Sequence, residues 1–295
     1  MNSENIRSNR KKYIKSALVL LIVIALLLFC SYQNRHLETT YYTYKAEQLG
    51  ADLEGYRIVQ ISDLHNVKFG KNNQRLVDRI RECDPDMIVL TGDLVDSNHT
   101  NVDRAVQFVD EVVKICPVYY VTGNHEYWLE ASEYDELMSG LTGAGAVILD
   151  DQVVEISRGD AKFRLVGLDD RSLSDGTLGT LLNDQAGQKE ETADNENSEK
   201  KEFTVVLAHE PQYLARYAGT CVDLVLSGHA HGGQFRLPFV GGIVAPDQGF
   251  LPEYTAGEYY MNGTEMIVSR GLGNSVIPVR LFNYPEIVCV ELVGK

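Results

Sequence analysis

The chain has 295 residues, 44% of them hydrophobic, which is enough to bury the core of one large domain or of two small ones. Its net charge is −15, so it offers no basic groove for a phosphate backbone, and we expect no nucleic-acid partner. The five cysteines are scattered without a C-x-x-C pair, which indicates buried thiols rather than a disulfide framework.

The N-terminal segment joins a basic tail to an apolar run. Residues 1–15 hold five basic side chains against one acidic one, and residues 16–34, "SALVLLIVIALLLFCSYQN", hold no charge. This length and these flanks are typical of a membrane-spanning helix, and no small-x-small cleavage site follows. We therefore predict an uncleaved transmembrane anchor at 16–34, a cytoplasmic tail at 1–15 and a body outside the cytoplasm, in a single-pass protein of the cell membrane.

Two other interpretations of this segment stay open. A cleaved signal peptide has the same order of charge and hydrophobicity. Cys30 could carry a lipid, although Phe29 before it is bulkier than lipidation sites prefer. The stretch "NRKKYIK" (9–15) also resembles a twin-arginine export signal with Lys11 in place of the second arginine. That route exports proteins already folded, which would allow metal to be loaded inside the cell.

The first half of the body alternates between strands and helices. Residues 35–55 are expected to form a linker and an edge strand. Apolar, β-branched runs predict strands at 56–62, 86–92 and 117–123, and apolar residues at helical spacing predict helices at 72–83 and 101–115. This alternation is typical of a parallel α/β sheet.

The second half is richer in strands. Six further strands are predicted at 152–157, 162–170, 203–209, 224–229, 264–271 and 286–292. Two sheets packed face to face, with helices outside, accommodate both halves in one domain at 56–295. Residues 183–202 contain no apolar side chain except two alanines, so we predict a disordered acidic insertion there.

Polar clusters follow five of the predicted strands. They are Asp63-Leu64-His65, Gly92-Asp93-Leu94-Val95-Asp96, Gly123-Asn124-His125-Glu126, the single residue His209, and Gly228-His229-Ala230-His231. In an open α/β sheet, ligands bind beyond the carboxyl ends of the strands. If these strands are neighbours, the five clusters meet in one place.

The residue types indicate a metal site. Asp63 and His65 are two apart, so at a strand end both point to one face. Asp, His and Asn together suit Zn, Mn or Fe, and there are too many for one tetrahedral ion. Two cations sharing a carboxylate, about 3.5–4 Å apart, form a site for displacement at phosphorus. Taken singly, each motif is more often a turn or a helix cap than a metal ligand.

In this order, the series DLH, GDLVD, GNHE, His, GHAH resembles the calcineurin-like metallophosphoesterase superfamily over residues 56–235. The segments "GGQFRLPFVGG" (232–242) and "SRGLGNSVIPVRLFNYPEIVCVEL" (269–292) are similar to a membrane-anchored bacterial branch, the UDP-diacylglucosamine pyrophosphatase-like phosphoesterases. The resemblance implies a four-layer α/β/β/α fold, in which a two-sheet β-sandwich is flanked by helices.

The resemblance also implies a role for each matching residue. Asp63, His65 and His231 would hold the first metal, while Asn124, His209 and His229 would hold the second. Asp93 would bridge the two cations, and a water activated by them would attack phosphorus. His125 would protonate the leaving oxygen, and Asp96 would orient His125. Glu126 is a weaker candidate that equally fits a helix-start carboxylate.

Two arginines could contact a substrate phosphate. Arg171 follows "GLDD" and Arg280 follows "SVIPV", and an arginine matches a phosphate bidentately. For each of them, a surface salt bridge is the more common explanation. Gln234 has no assigned role beyond a hydrogen bond near the site.

The function predicted from these features is that of a metal-dependent phosphoric ester hydrolase anchored in the membrane. The anchor favours an envelope or lipid-linked phosphodiester or phosphate ester. The alternatives are a broad phosphomonoesterase or nucleotidase outside the cytoplasm, and a metal-binding scaffold without activity. The two divalent cations would be Mn, Fe or Zn, depending on where the protein is loaded.

Overall fold

The computed structural model describes residues 3–46, 48–173, 176–190, 202–274 and 278–294. Its helices are α1 (Ser3–Gln33), α2 (Gln74–Glu82), α3 (Val102–Val112), α4 (Asn124–Tyr127), α5 (Ala131–Ala144), α6 (Thr177–Glu190) and α7 (Leu214–Tyr217). The strands of the first half are β1 (Glu38–Ala46), β2 (Tyr56–Ile61), β3 (Met87–Thr91), β4 (Val118–Val121), β5 (Val147–Ile148), β6 (Gln152–Arg158) and β7 (Ala161–Gly167). Those of the second half are β8 (Thr204–Leu207), β9 (Leu224–Ser227), β10 (Arg236–Leu237), β11 (Gly241–Gly242), β12 (Val244–Ala245), β13 (Gly249–Phe250), β14 (Gly257–Met261), β15 (Thr264–Val268) and β16 (Glu286–Gly294).

Two six-stranded sheets form the body. The first has the order β1-β16-β2-β3-β4-β5. Its strands β2 to β5 are parallel, and the sequence predicts this for β2, β3 and β4 but not for the short strand β5. The second has the order β14-β15-β9-β8-β7-β6, with β7, β8, β9 and β15 parallel. The predicted edge strand is β1, which pairs in parallel with β16 near the other end of the chain.

Three apolar layers separate four layers of structure. One cluster lies between the first sheet and helices α2, α3 and α5, and includes Leu76, Phe108 and Leu141. A second fills the space between the two sheets, and a third lies between the second sheet and helices α6 and α7. The predicted α/β/β/α arrangement is therefore confirmed.

The two sheets meet at their carboxyl edges through a buried polar contact. Gln60 of β2 donates from Nε2 to the carbonyl of Ser227 in β9, at 2.8 Å, and to Thr91 Oγ1, at 2.9 Å. Next to this contact, Gly228 N donates to the carbonyl of His209 at 2.9 Å. The loops that follow β2, β3, β8 and β9 are thus held at one edge of the sandwich.

Helix α1 is long and apolar enough to cross a membrane over Asn9–Gln33, and none of its most apolar stretch is buried by the body. Helix α6 extends to Glu190, into the segment 183–202 for which the sequence predicts disorder. Gln, Ala, Lys and Glu in that helix are good helix formers, which local hydrophobicity does not reveal. Residues 191–201 lie outside the described residues, so a disordered insertion there stays a prediction.

Candidate metal centre

The structure brings together the seven predicted metal ligands at the common edge of the two sheets. Six of them, Asp63, His65, Asp93, His209, His229 and His231, are buried, and Asn124 is half-buried. They lie just beyond the ends of β2, β3, β4, β8 and β9, and Asn124 is the first residue of α4. The convergence expected from five strand ends is therefore what the fold produces.

The first group of ligands consists of Asp63, His65, Asp93 and His231, whose ligand atoms all lie within 4.8 Å of one another. Nε2 of His65 is 3.2 Å from Nε2 of His231 and 3.5 Å from Oδ2 of Asp93. Nε2 of His231 is 3.6 Å from Oδ1 of Asp63. Four donor atoms thus face a common point.

The second group shares Asp93 with the first. Oδ2 of Asp93 is 3.3 Å from Nε2 of His209, and that nitrogen is 3.2 Å from Nδ1 of His229. Asp93, His209 and His229 again place their ligand atoms within 4.8 Å of one another. One oxygen of Asp93 therefore lies between the two groups, where a bridging ligand is needed.

These residues fit a pair of divalent cations. Ligands about 2.0–2.2 Å from one ion lie roughly 3 Å apart when they are adjacent around it, as the facing imidazole nitrogens do. In addition, the amide oxygen of Asn124 is buried and accepts no hydrogen bond from the described part of the chain. A buried oxygen without a donor is costly, and a cation would supply the missing partner.

Second partners fix which nitrogen of two imidazoles is free. Nδ1 of His209 is 2.7 Å from the carbonyl of Thr91, so Nδ1 carries the proton and Nε2 is left as the ligand. Nε2 of His229 is 2.9 Å from Oδ2 of Asp247, which leaves Nδ1 as the ligand. For His65 and His231, the described residues supply no such partner at Nδ1.

The electrostatic surroundings favour the metal-binding forms of most ligands. Burial lowers the pKa of His65 to about 3 and that of His231 well below its usual range, so both rings are neutral. Although burial acts in the opposite direction, the neighbouring His209 holds the pKa of Asp93 well below its usual range. Burial acts to lower the pKa of His209, but the carboxylate of Asp93 raises it well above its usual range.

Five of the ligands have left-handed backbone conformations. The φ angles of Asp63, His65, Asp93, His229 and His231 lie between 44° and 64°. Such angles are uncommon outside glycine, and Asp, Asn and His tolerate them best. Backbone of this kind persists only where surrounding contacts hold it, and such strain concentrates at functional sites.

Glu126 provides one of these contacts. Its buried carboxylate accepts hydrogen bonds from the backbone N–H groups of Asp93 and Leu94, both at 2.9 Å, and of Gly123, at 2.7 Å. It therefore ties the loop after β3 to the start of α4. Glu126 is more than a helix-start carboxylate, because it holds the backbone that presents Asp93 and Asn124.

His125, the predicted proton donor, lies against both groups. Its backbone N–H donates to Oδ1 of Asp93 at 2.9 Å, and its ring lies 4.5 Å from that of His65. Nδ1 of His125 accepts from the backbone N–H of Ser97 at 3.2 Å. The proton of the neutral ring is therefore on Nε2.

Asp96 lies beside this histidine. Ligand atoms of His65, Asp96 and His125 fall within 4.8 Å of one another. Oδ1 of Asp96 also accepts from the backbone N–H groups of Asn98, at 2.8 Å, and His99, at 3.0 Å. These bonds shape the loop that places Ser97 against His125, so Asp96 positions the ring partly through the backbone.

The two arginines differ. Arg171 is exposed, pairs with Asp169 at 3.1 Å and lies over the ring of Tyr127, which is the surface salt bridge that the sequence offered as an alternative. Arg280 is fully buried and donates to the carbonyls of Arg270 and Gly273 and to Asn274 Oδ1. A surface salt bridge is therefore the wrong interpretation for Arg280, whose donors hold the backbone behind the site.

Gln234 gains a role in the same region. Nε2 of Gln234 donates to the carbonyl of Val279 at 2.8 Å, and the carbonyl of Gln234 accepts from Asn283 Nδ2 at 3.1 Å. The loop carrying His231 is thereby joined to the segment 278–284.

Three acidic residues near the second group were not predicted. Asp247 lies on the hairpin between β12 and β13, and Glu210, His229 and Asp247 form a further group of possible ligands. Asp170 lies nearby, and burial raises its pKa to about 7. A search for acidic residues in the loops after β7 and β8 would have found Asp170 and Glu210, but no sequence pattern marks Asp247.

Comparison with known proteins agrees with this geometry. The family profile of the calcineurin-like phosphoesterases matches residues 56–233. The uncharacterized metallophosphoesterase YkuE of Bacillus subtilis is 30% identical over 279 residues, which cover 90% of this chain and 88% of that protein. An uncharacterized metallophosphoesterase of Aquifex aeolicus is 34% identical over 88% of this chain and 95% of its own length. Phosphodiesterase YaeI of Escherichia coli is 29% identical over 81% of this chain and 82% of its own length.

Proposed function

The chain belongs to the calcineurin-like phosphoesterase family, and from that premise we propose that it is a membrane-anchored phosphodiesterase with two metal ions. Family membership makes it a metal-dependent phosphoester hydrolase. The observation that carries the finer proposal is the position of Asp93 Oδ2, 3.5 Å from Nε2 of His65 and 3.3 Å from Nε2 of His209. One carboxylate oxygen shared by two groups of ligands is what a binuclear site requires.

In this proposal, Asp63, His65 and His231 would hold one cation, Asn124, His209 and His229 would hold the other, and Asp93 would be shared by both. The two cations, when bound, supply charge stabilisation to the phosphoryl group and lower the pKa of a water molecule that attacks it. Thr91 and Asp247 keep His209 and His229 in the ligand tautomer through the bonds described above.

His125 is proposed to donate a proton to the leaving oxygen. Because Ser97 N–H faces Nδ1, the donor is the Nε2 proton. The ring of His125 lies 4.6 Å from that of Trp128, and the side chain is buried, so its orientation is held by packing. A fixed donor of this kind is efficient where the leaving group is a poor one.

Helix α1 supports a membrane location for this activity. Five basic residues before the apolar run favour an N-terminus in the cytoplasm and a body outside it. An anchored enzyme meets membrane or envelope phosphoesters at high local concentration, which favours a lipid-linked substrate. The relative YaeI is named a phosphodiesterase, which supports a diester over a monoester.

A direct test uses the full chain in detergent, loaded separately with Mn, Fe or Zn. We expect metal-dependent turnover of a bis-aryl phosphate, slower turnover of a mono-aryl phosphate, and turnover of a phospholipid-like diester in mixed micelles. The variant Asp93→Asn should lose both metals and all three activities. If the wild-type chain turns over the mono-aryl phosphate faster than the bis-aryl phosphate, it is a phosphomonoesterase. If it binds metal but turns over none of the three esters, it is a metal-binding protein without activity.

A further inference from the structure

The C-terminal end of helix α1 packs against one loop of the body, residues 278–284. Phe29 in the last turns of α1 contacts the ring of Phe282 edge-on, with centroids 5.9 Å apart, and Tyr32 contacts Tyr284 at 6.0 Å. After the helix ends, the side chain of Asn34 accepts from Arg280 N at 2.8 Å and donates to the carbonyl of Pro278 at 2.7 Å. Residues 278–284 therefore lie against the C-terminal end of α1.

The same loop supports the metal centre. Nδ2 of Asn283, next to Phe282, donates to the carbonyl of His231 at 2.7 Å. Gln234, three residues after His231, donates to the carbonyl of Val279. One layer of side chains thus separates a proposed metal ligand from the end of α1.

Around this loop lies a set of exposed apolar side chains, which we call the apolar rim. It consists of Leu237, Phe239, Val240, Phe250, Leu251 and Phe282, each between 44% and 108% exposed. Backbone bonds join its parts, from Arg236 N to the carbonyl of Leu281 and from Leu251 N to the carbonyl of Ile243. The hairpin that carries Leu237, Phe239 and Val240 is therefore joined to the loop that α1 contacts.

Large apolar residues are unfavourable at the tips of the apolar rim for two reasons: they are exposed to water, and their backbone has a positive φ. Phe239, Leu251 and Phe282 have φ angles of 66°, 53° and 52°. For bulky apolar residues this region is a genuine outlier, and glycine or asparagine would fit each turn better. Side chains that are both exposed and strained indicate an environment that the body itself does not supply.

We propose that the apolar rim lies in the interface of the membrane that α1 crosses, and that it holds the metal centre at the level of the lipid head groups. The inference rests on the proposed anchoring of α1. Phe29 of α1 contacts Phe282 of the apolar rim. Because α1 is proposed to cross the bilayer, the bilayer, rather than another protein, is the nearest apolar partner of the rim. The substrate class that follows is a phosphoester head group whose apolar part stays in the same membrane.

Depth in the bilayer can be measured directly. The full chain carrying Phe239→Trp is placed in phosphatidylcholine vesicles with bromine near the glycerol end of the acyl chains. Interfacial groups sit about 5–10 Å into the head-group boundary, so we expect the emission added by the new tryptophan to fall at least about twofold. The matched variant is Tyr260→Trp, which replaces an aromatic residue 68% exposed on the edge strand β14 and should not be quenched.

Function is tested by the triple variant Phe239→Asn, Leu251→Asn, Phe282→Asn. Asparagine tolerates positive φ, so the fold should be retained. We expect unchanged turnover of a soluble bis-aryl phosphate. Turnover of a vesicle-embedded phosphodiester should fall at least about tenfold, because one fully buried apolar side chain already corresponds to that factor.

Three results would overturn the inference: equal quenching of both tryptophan variants, wild-type turnover of the embedded diester by the triple variant, or a triple variant that dissociates into smaller oligomers. The last would make the rim a contact between copies of this chain. In each case, turnover of the soluble ester shows whether the proposed function stands. If no metal-loaded form hydrolyses any ester, the proposed function fails, while the quenching still decides where the rim lies.

Discussion

Oδ2 of Asp247 lies 2.9 Å from Nε2 of His229, and this bond directs Nδ1 of the histidine toward His209. The ring therefore reaches the second group of ligands with the nitrogen closer to the backbone, unlike His65 and His231. Asp247 itself has a φ of 53° and a side chain 65% exposed, so packing alone does not hold it there. The bond to His229 is what places this residue at the site.

We predict that Asp247→Gly lowers the affinity for the second cation by about 10–100-fold, which is the usual effect of removing a hydrogen-bond partner of a metal-binding histidine. Glycine is chosen because it accepts the positive φ without strain. Asp247→Asn should fall between glycine and wild type, since an amide oxygen still accepts the bond without the charge. Metal content after dialysis against buffered free Mn measures the effect, and loss of the first cation instead of the second would contradict the assignment.

His209 and Asp247 show what could and what could not be predicted from the sequence: His209 was predicted as a ligand, and Asp247 was not. His209 follows a strand of four buried residues, so the register of β8 against β9 determines its place. Asp247 lies between two strands of two residues each, which carry no hydrophobic period. Sequence patterns predict residues that regular elements position, but not contacts made by short irregular hairpins.

Backbone conformation was also beyond prediction. Gly228 follows directly after β9, but it does not have the positive φ of Gly92. A methyl group at Gly228 would overlap Ser62 Oγ and crowd Asp63 Oδ2. The glycine is needed because the loops after β2 and β9 approach closely, and such an approach between distant segments leaves no trace in local sequence.

We therefore predict that Gly228→Ala displaces Asp63 and disables the first group of ligands. Overpacking of this kind costs about 1–3 kcal/mol of stability, and metal content should fall below that of wild type. Gly143→Ala is the matched control, since nothing lies within 4 Å of its added carbon and it is in helix α5. That variant should gain about 0.5–1 kcal/mol in the free energy of unfolding and keep its metals. Normal metal content in Gly228→Ala would show that the loops can move apart.

Loss of the ring of His125 should affect chemistry rather than metal binding. We predict that His125→Ala lowers kcat by about 10²–10⁴-fold for an ester with an alkyl leaving group, the range for one proton donor. A nitrophenyl leaving group needs little protonation, so its rate should fall much less. The control is His99→Ala, which removes a histidine whose side chain is 90% exposed in the loop after β3. Equal losses for both leaving groups would mean that His125 acts in binding.

The last prediction concerns stability away from the metal centre. Burial, and then the carboxylate of Glu258, raise the pKa of Glu265 to about 7 from its ordinary 4.5. Between these values the folded protein holds a proton that the unfolded chain releases, so stability falls as the pH rises through this window. Glu265→Gln should therefore unfold at a higher temperature than wild type near pH 8, by a margin that shrinks toward about pH 4. Glu258→Gln should narrow the window, because it removes the repelling charge. A margin independent of pH in thermal unfolding of the detergent-solubilised chain would show that Glu265 titrates normally.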